Sequence, residues 1–154
     1  MKKKVYIAYG CNMDRKGMSR RCPNCEFIDS GYLLDYELIF KGCASIRKLK
    51  DSKVPIAIYL ISKSDEKYLD MMESYPHYYN KIEVEVDSLN NGKLEGMVYI
   101  MNESYPEGTP SKGYFNGIKE SYRELGFDIS ILDKAYEVAK GLTKSSYQIV
   151  LDDK

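Results

Sequence analysis

The sequence predicts an α+β fold built on a mostly antiparallel or barrel-like sheet. Three observations predict it. Strand patterns fill the first two thirds of the chain, and helical periodicity governs the end. The length of 154 residues, with no repeat, low-complexity segment or Gly/Ser/Pro-rich linker, describes one domain over residues 1–154.

The first strand is the β-branched and aromatic run Val5 to Ala8, ended by Tyr9-Gly10; Asn12 or Asp14 then caps a short helix reaching about Arg21. Further strands are expected at Phe27 to Leu34, Tyr36 to Phe40, Ala44 to Arg47 and Ile56 to Ile61. Ser64 is the expected cap of a helix whose first turn carries Asp65 and Glu66 and whose apolar stripe is Tyr68, Leu69 and Met72. After Tyr75-Pro76, Ile82, Val84 and Val86 alternate with charged residues in the period of a half-buried strand. Asn90-Asn91-Gly92 turns the chain into a partner strand, Lys93 to Met101. From Ser111 the pattern is helical: Tyr114, Ile118, Tyr122 and Leu125 share a face and Gly126 ends the helix. A last helix runs from about Ile129 to Lys140.

Composition narrows the function classes. Basic and acidic residues both number 23, so the formal net charge is zero and the basic footprint of a nucleic-acid binder is missing. No stretch has the length of a membrane span, and the apolar run after Lys2 to Lys4 is too short for an export signal. The expectation is a cytoplasmic protein whose Cys11, Cys22, Cys25 and Cys43 are thiols. Fifteen Tyr against four Phe and no Trp predict a core or pocket with polar tips.

Candidate chemistry lies in three places. A strand that stops at Gly10 and feeds a helix leaves N–H groups unpaired for a carboxylate, phosphate or oxyanion, although the same pattern also serves as a plain turn. Neither dinucleotide-binding glycines nor a Walker lysine accompany it. Glu73, at the end of the helix beside Tyr75, Tyr78 and Tyr79, is either a solvated helix-end acid or a half-buried one. In the second case burial and the helix dipole raise its pKa toward that of a general acid/base. Cys22-Pro23-Asn24-Cys25 has the spacing of half a zinc site without a second pair, so loop thiols are the default. His77 has no Ser or Cys arranged around it and reads as a packing or surface residue.

The order of these pieces is more specific than any of them. Tyr9-Gly10-Cys11-Asn12-Met13, then Gly42-Cys43-Ala44-Ser45-Ile46, then Leu69-Asp70-Met71-Met72-Glu73, then Pro110-Ser111 with Tyr114 opening a helix, resembles the γ-glutamylcyclotransferase family from about Tyr6 to Ile131. The segment Glu73 to Tyr79 with the alternating strand after it is also similar to the family's catalytic segment. The resemblance implies a small mixed, mostly antiparallel β-barrel with flanking helices, a pocket at the barrel end, and neither metal nor organic cofactor. It implies a small γ-glutamyl substrate as partner, with no nucleic acid or membrane; oligomeric state has no signature in the sequence. Carried over by position, Glu73 matches the catalytic acid/base, Tyr6, Ile7, Ala8, Tyr9, Gly10, Cys11 and Asn12 match the substrate-cradling loop, and Tyr114 matches a substrate-contacting tyrosine. The chain departs from the family at Cys11, where Ser or Thr is usual, and at Ser74, where Gly is usual.

The implied reaction is cyclisation of a γ-glutamyl amine or amino acid to 5-oxoproline with release of the amine. Nucleophile and electrophile are tethered in one substrate, so one carboxylate that moves protons is sufficient and no nucleophilic side chain is required. Two alternatives stand beside it: a non-catalytic small-molecule-binding domain, and hydrolysis or acyl transfer at the γ-glutamyl group.

Overall fold

A computed structural model describes residues 2–141 together with Ile149 and Leu151. Five strands form a closed barrel: β1 (Lys4–Ala8), β2 (Glu26–Lys41), β3 (Cys43–Ile61), β4 (Tyr79–Ser88) and β5 (Gly92–Met101). Among the described residues four helices flank it: α1 (Arg15–Arg21), α2 (Lys63–Met72), α3 (Lys112–Leu125) and α4 (Ile129–Ala139). The strand order is β1-β3-β2-β4-β5. All pairings are antiparallel except the closing contact of β1 with β5, which is parallel at Tyr6 and Met97 and makes the sheet mixed. The fold is therefore α+β with a barrel core, as the sequence predicts.

Four short strands expected between Phe27 and Ile61 are instead two long ones, folded on each other as a hairpin through Gly42 at φ 78°. The apparent breaks are irregularities within continuous strands. Asp35 and Asp51 adopt φ 62° and 67°, the ladder shifts register between Leu34 and Tyr36, and the Asp51 N–H donates to Asp35 Oδ1 at 2.9 Å. Such bulges bend a strand without ending it, which a barrel of long strands requires. The seam between β2 and β4 is short, and Gly31 permits it: a Cβ there would stand 2.0 Å from the Asp87 carbonyl oxygen.

The barrel is filled by alternating residues such as Ile7, Val54, Ile56, Ile58 and Val98, all at most 1% exposed. Ile118 and Tyr122 of α3 and Leu132 of α4 add to this buried core. The local signals for α3 hold: Ser111 accepts from the Tyr114 N–H, and Gly126 closes the helix in the left-handed region at φ 78°.

One cap differs from expectation. The cap of α2 is Ser62, not Ser64: Ser62 Oγ accepts from the Asp65 N–H and the Asp65 carboxylate accepts from the Ser62 N–H. A reciprocal box needs an acceptor three residues after the cap, which Asp65 supplies for Ser62, whereas Ser64 would place Lys67 there. At α1, Asp14 holds the cap position without a side-chain cap bond, and Asn12 lies in a separate 3-10 turn, Cys11–Met13. Among the described residues no helix is long and apolar enough to cross a membrane.

Candidate active site

At one end of the barrel, where β1 runs into the 3-10 turn, lies a cavity of about 340 Å³. Tyr6, Ile7, Tyr9, Gly10, Cys11 and Asn12 line one wall, Glu73 another, and Tyr114 of α3 a third. Ala8 does not line it; its side chain is 2% exposed and lies in the β1–β3 ladder opposite Ala57.

The wall around Gly10 is tight. A Cβ on Gly10 would stand 3.3 Å from Tyr114 Oη and 3.4 Å from Ala44 Cβ. The Ala44 N–H donates to Tyr114 Oη at 3.0 Å, which joins α3 to the start of β3. Tyr9 Oη donates to the Tyr99 carbonyl at 2.7 Å and Tyr79 Oη to the Ala44 carbonyl at 2.9 Å. These buried hydroxyls are thus satisfied within the wall, and burial holds the Tyr9 and Tyr79 phenols protonated, far above their ordinary range.

Glu73 ends α2, its N–H donating to the Leu69 carbonyl at 2.8 Å. The helix is anchored to the barrel just before it. Lys81 pairs with Glu66 at 2.9 Å and Asp70 at 3.0 Å, and Tyr99 Oη donates to Asp70 Oδ1 at 2.6 Å. The Glu73 carboxylate itself has no hydrogen-bond or ion-pair partner among the described residues. Burial pushes its pKa up to about 7, and the Arg21 guanidinium pulls against that rise. Of the two readings the sequence leaves open for this acid, the structure has the half-buried one.

The Asn12 side chain is held on both sides. Its Nδ2 donates to Tyr6 Oη at 2.9 Å, its Oδ1 accepts from Arg21 Nη1 at 2.8 Å, and its carbonyl accepts from Tyr59 Oη at 2.8 Å.

The gamma-glutamyl cyclotransferase, AIG2-like family model matches residues 6–117, which contain every cavity residue named above. The chain belongs to this family. Solved structures agree with the fold. A gamma-glutamyl cyclotransferase superposes with TM-score 0.78 at 23% identity, over 95% of this chain and 91% of that one. An uncharacterised protein, loc79017, from Homo sapiens gives 0.76 at 23% over 96% and 92%. YkqA from Bacillus subtilis gives 0.74 at 18% over 94% of this chain and 57% of that one. No curated protein matches the chain in sequence.

In this cyclotransferase-family chain, several cavity residues escape sequence reasoning: Arg21, Cys43, Tyr79 and Tyr99 line it beside the expected ones. Among the described residues, Arg21 and Glu73 are its only charged lining residues. No periodicity marks Arg21, which reaches the site only because α1 folds back on the 3-10 turn. Tyr79 and Tyr99 read as strand aromatics, and their role follows from barrel closure.

The four cysteines are free. Cys22 is buried, with Sγ 3.8 Å from the Asp65 carbonyl, and its pKa is pushed up to about 12 by burial. Cys25 is bound to it only through the turn bond from the Cys25 N–H to the Cys22 carbonyl. Among the described residues no group of three or more His, Cys, Asp or Glu converges as a metal site. His77 is exposed.

Proposed function

We propose that this protein is a γ-glutamylcyclotransferase that converts a γ-glutamyl amine or γ-glutamyl amino acid to 5-oxoproline, with Glu73 as general acid/base. One observation carries the reading: among the described residues the cavity's single carboxylate has no hydrogen-bond or ion-pair partner, and burial pushes its pKa up to about 7, where both of its protonation states are populated at neutral pH.

The chemistry then runs on one carboxylate. Ionised Glu73 takes a proton from the substrate α-ammonium, and the freed amine attacks the γ-carbonyl carbon, forming the ring C–N bond. The carbonyl electron pair moves to oxygen. When it returns, the bond to the leaving nitrogen breaks and protonated Glu73 gives its proton to that nitrogen; the regenerated carboxylate then takes the second proton from the ring nitrogen, leaving the neutral lactam, and passes it to the released amine, which departs as an ammonium. The substrate need only be held folded for this intramolecular attack. The N–H groups of Cys11 and Asn12, unpaired within the 3-10 turn and belonging to residues of the cavity wall, suit the transient oxyanion. A volume of about 340 Å³ fits a small molecule.

The test is a product assay of purified protein against a panel of γ-glutamyl amides, repeated with Glu73→Gln. The expected result is 5-oxoproline plus free amine from wild type, and loss of turnover with retained amide binding in the variant. Free glutamate would identify a hydrolase and a transferred glutamyl group an acyltransferase. Binding without any product would identify a binding domain, and unimpaired turnover by Glu73→Gln would remove the mechanism.

A further inference from the structure

Arg21 is a cation inside the cavity wall that makes no ion pair among the described residues. Its one hydrogen bond there is from Nη1 to the neutral amide oxygen of Asn12 at 2.8 Å. A guanidinium has five N–H donors in a planar fork, so this bond orients the group and leaves most of its donors unspent. A half-buried charge in that condition is unfavourable unless an anion completes it.

The neighbouring residue types support this orientation. Gly17, one turn before Arg21 on α1, has no side chain to block it: a Cβ there would stand 3.0 Å from Arg21 Nη2, 3.2 Å from Nη1 and 2.6 Å from Asp14 Oδ2. The guanidinium lies over the bare face of Gly17. Asn12, gripped by Tyr6 and Tyr59, holds the other side.

We propose that Arg21 is a substrate-binding residue that pairs with a carboxylate of the γ-glutamyl substrate, and that Gly17 and Asn12 are the positioning residues that aim it. This rests on the cyclotransferase reading and adds a division of labour to it. A γ-glutamyl head carries one ammonium and one carboxylate, and among the described residues the cavity wall carries one acid and one base. Glu73 takes the ammonium and Arg21 the carboxylate, which leaves the N–H groups of the 3-10 turn for the oxyanion. A leaving amino acid would bring a second carboxylate of the same chemistry, and the experiment separates the two sources.

Arg21→Gln and Gly17→Ala are compared with wild type on γ-glutamylalanine and on γ-glutamylethylamide, which lacks the leaving-group carboxylate. The same two amides are titrated calorimetrically into Glu73→Gln with and without Arg21→Gln. Arg21→Gln is expected to raise KM and weaken binding about 10- to 100-fold, the range of a charge-assisted pair. Gly17→Ala is expected to move the same way by a smaller factor while the helix gains stability, since alanine is the better helix former. An equal loss on both amides assigns the head carboxylate; a loss confined to γ-glutamylalanine assigns the leaving group. Unchanged KM and unchanged affinity for both amides, in protein with a wild-type melting profile, would overturn the assignment, as would a fall in kcat alone. If no amide yields 5-oxoproline, the cyclotransferase reading fails, and the calorimetric order still decides whether Arg21 holds a carboxylate.

Discussion

The Tyr114 hydroxyl stands 3.3 Å from the point a Cβ on Gly10 would occupy. Residues 104 positions apart, one capping the 3-10 turn after β1 and the other in the first turn of α3, thus meet with room for a hydrogen and only a tight fit for a methyl group. Both residues line the cavity.

Gly10→Ala is expected to push Tyr114 or Ala44 aside by a few tenths of an ångström and to lower kcat/KM roughly tenfold, because displaced positioning groups are costly in a tethered reaction. Tyr114→Phe removes the oxygen that accepts from the Ala44 N–H and is expected to cost about 1–2 kcal/mol of stability. Denaturant midpoints and steady-state kinetics check both.

Glu73 controls activity and stability in opposite senses. As the base it must be ionised, so kcat/KM is expected to rise about tenfold per pH unit up to about 7 and then level off. Its folded pKa lies above the ordinary 4.5, so the folded state binds the proton more tightly than the unfolded chain does. The penalty for burying the charge is absent below 4.5 and complete above about 7, which makes stability fall as pH rises through that window. Glu73→Gln is expected to flatten this dependence and to be more stable than wild type at pH 8 by on the order of 1–3 kcal/mol, read from unfolding curves across pH.

Ser74 adopts φ 50°, the left-handed region in which a side chain is disfavoured. The glycine usual at this position in the resemblance now has a backbone reason. Ser74→Gly is expected to be neutral or to stabilise by up to about 1 kcal/mol, the relief of strain offsetting the greater freedom of the unfolded chain. Ser74→Val is expected to destabilise by about 1–3 kcal/mol and to lower turnover by shifting Glu73. Thermal melts with parallel activity assays separate the two effects.

Cys11 lines the cavity, and burial raises its thiol pKa despite the opposing pull of Arg21. A thiol held protonated is a poor nucleophile. Cys11→Ser is therefore expected to retain or raise turnover, and intact-mass analysis of wild type during reaction is expected to reveal no acyl adduct. A dead variant together with a mass increment would move the chemistry to Cys11.

The elements legible in the sequence are those whose signals are local. Asn90-Asn91-Gly92 joins two alternating runs, Ser111 and Gly126 bracket one amphipathic stripe, and Glu73 stands at a helix end beside apolar residues; each lies within a few turns of chain and appears in the fold as read. The order of the short motifs further pointed to the cyclotransferase family. Tertiary structure decided what depends on closure. It made two bent strands of four runs, because a bulge keeps a ladder that a sequence pattern breaks at Asp35 and Asp51. It brought Arg21 onto Asn12, Ala44 onto Tyr114 and Tyr99 onto Tyr9 and Asp70, contacts that no periodicity encodes. It also fixed the state of Glu73: sequence places the acid at a helix end, but only the surrounding barrel decides how much water reaches its carboxylate, and that sets where it titrates.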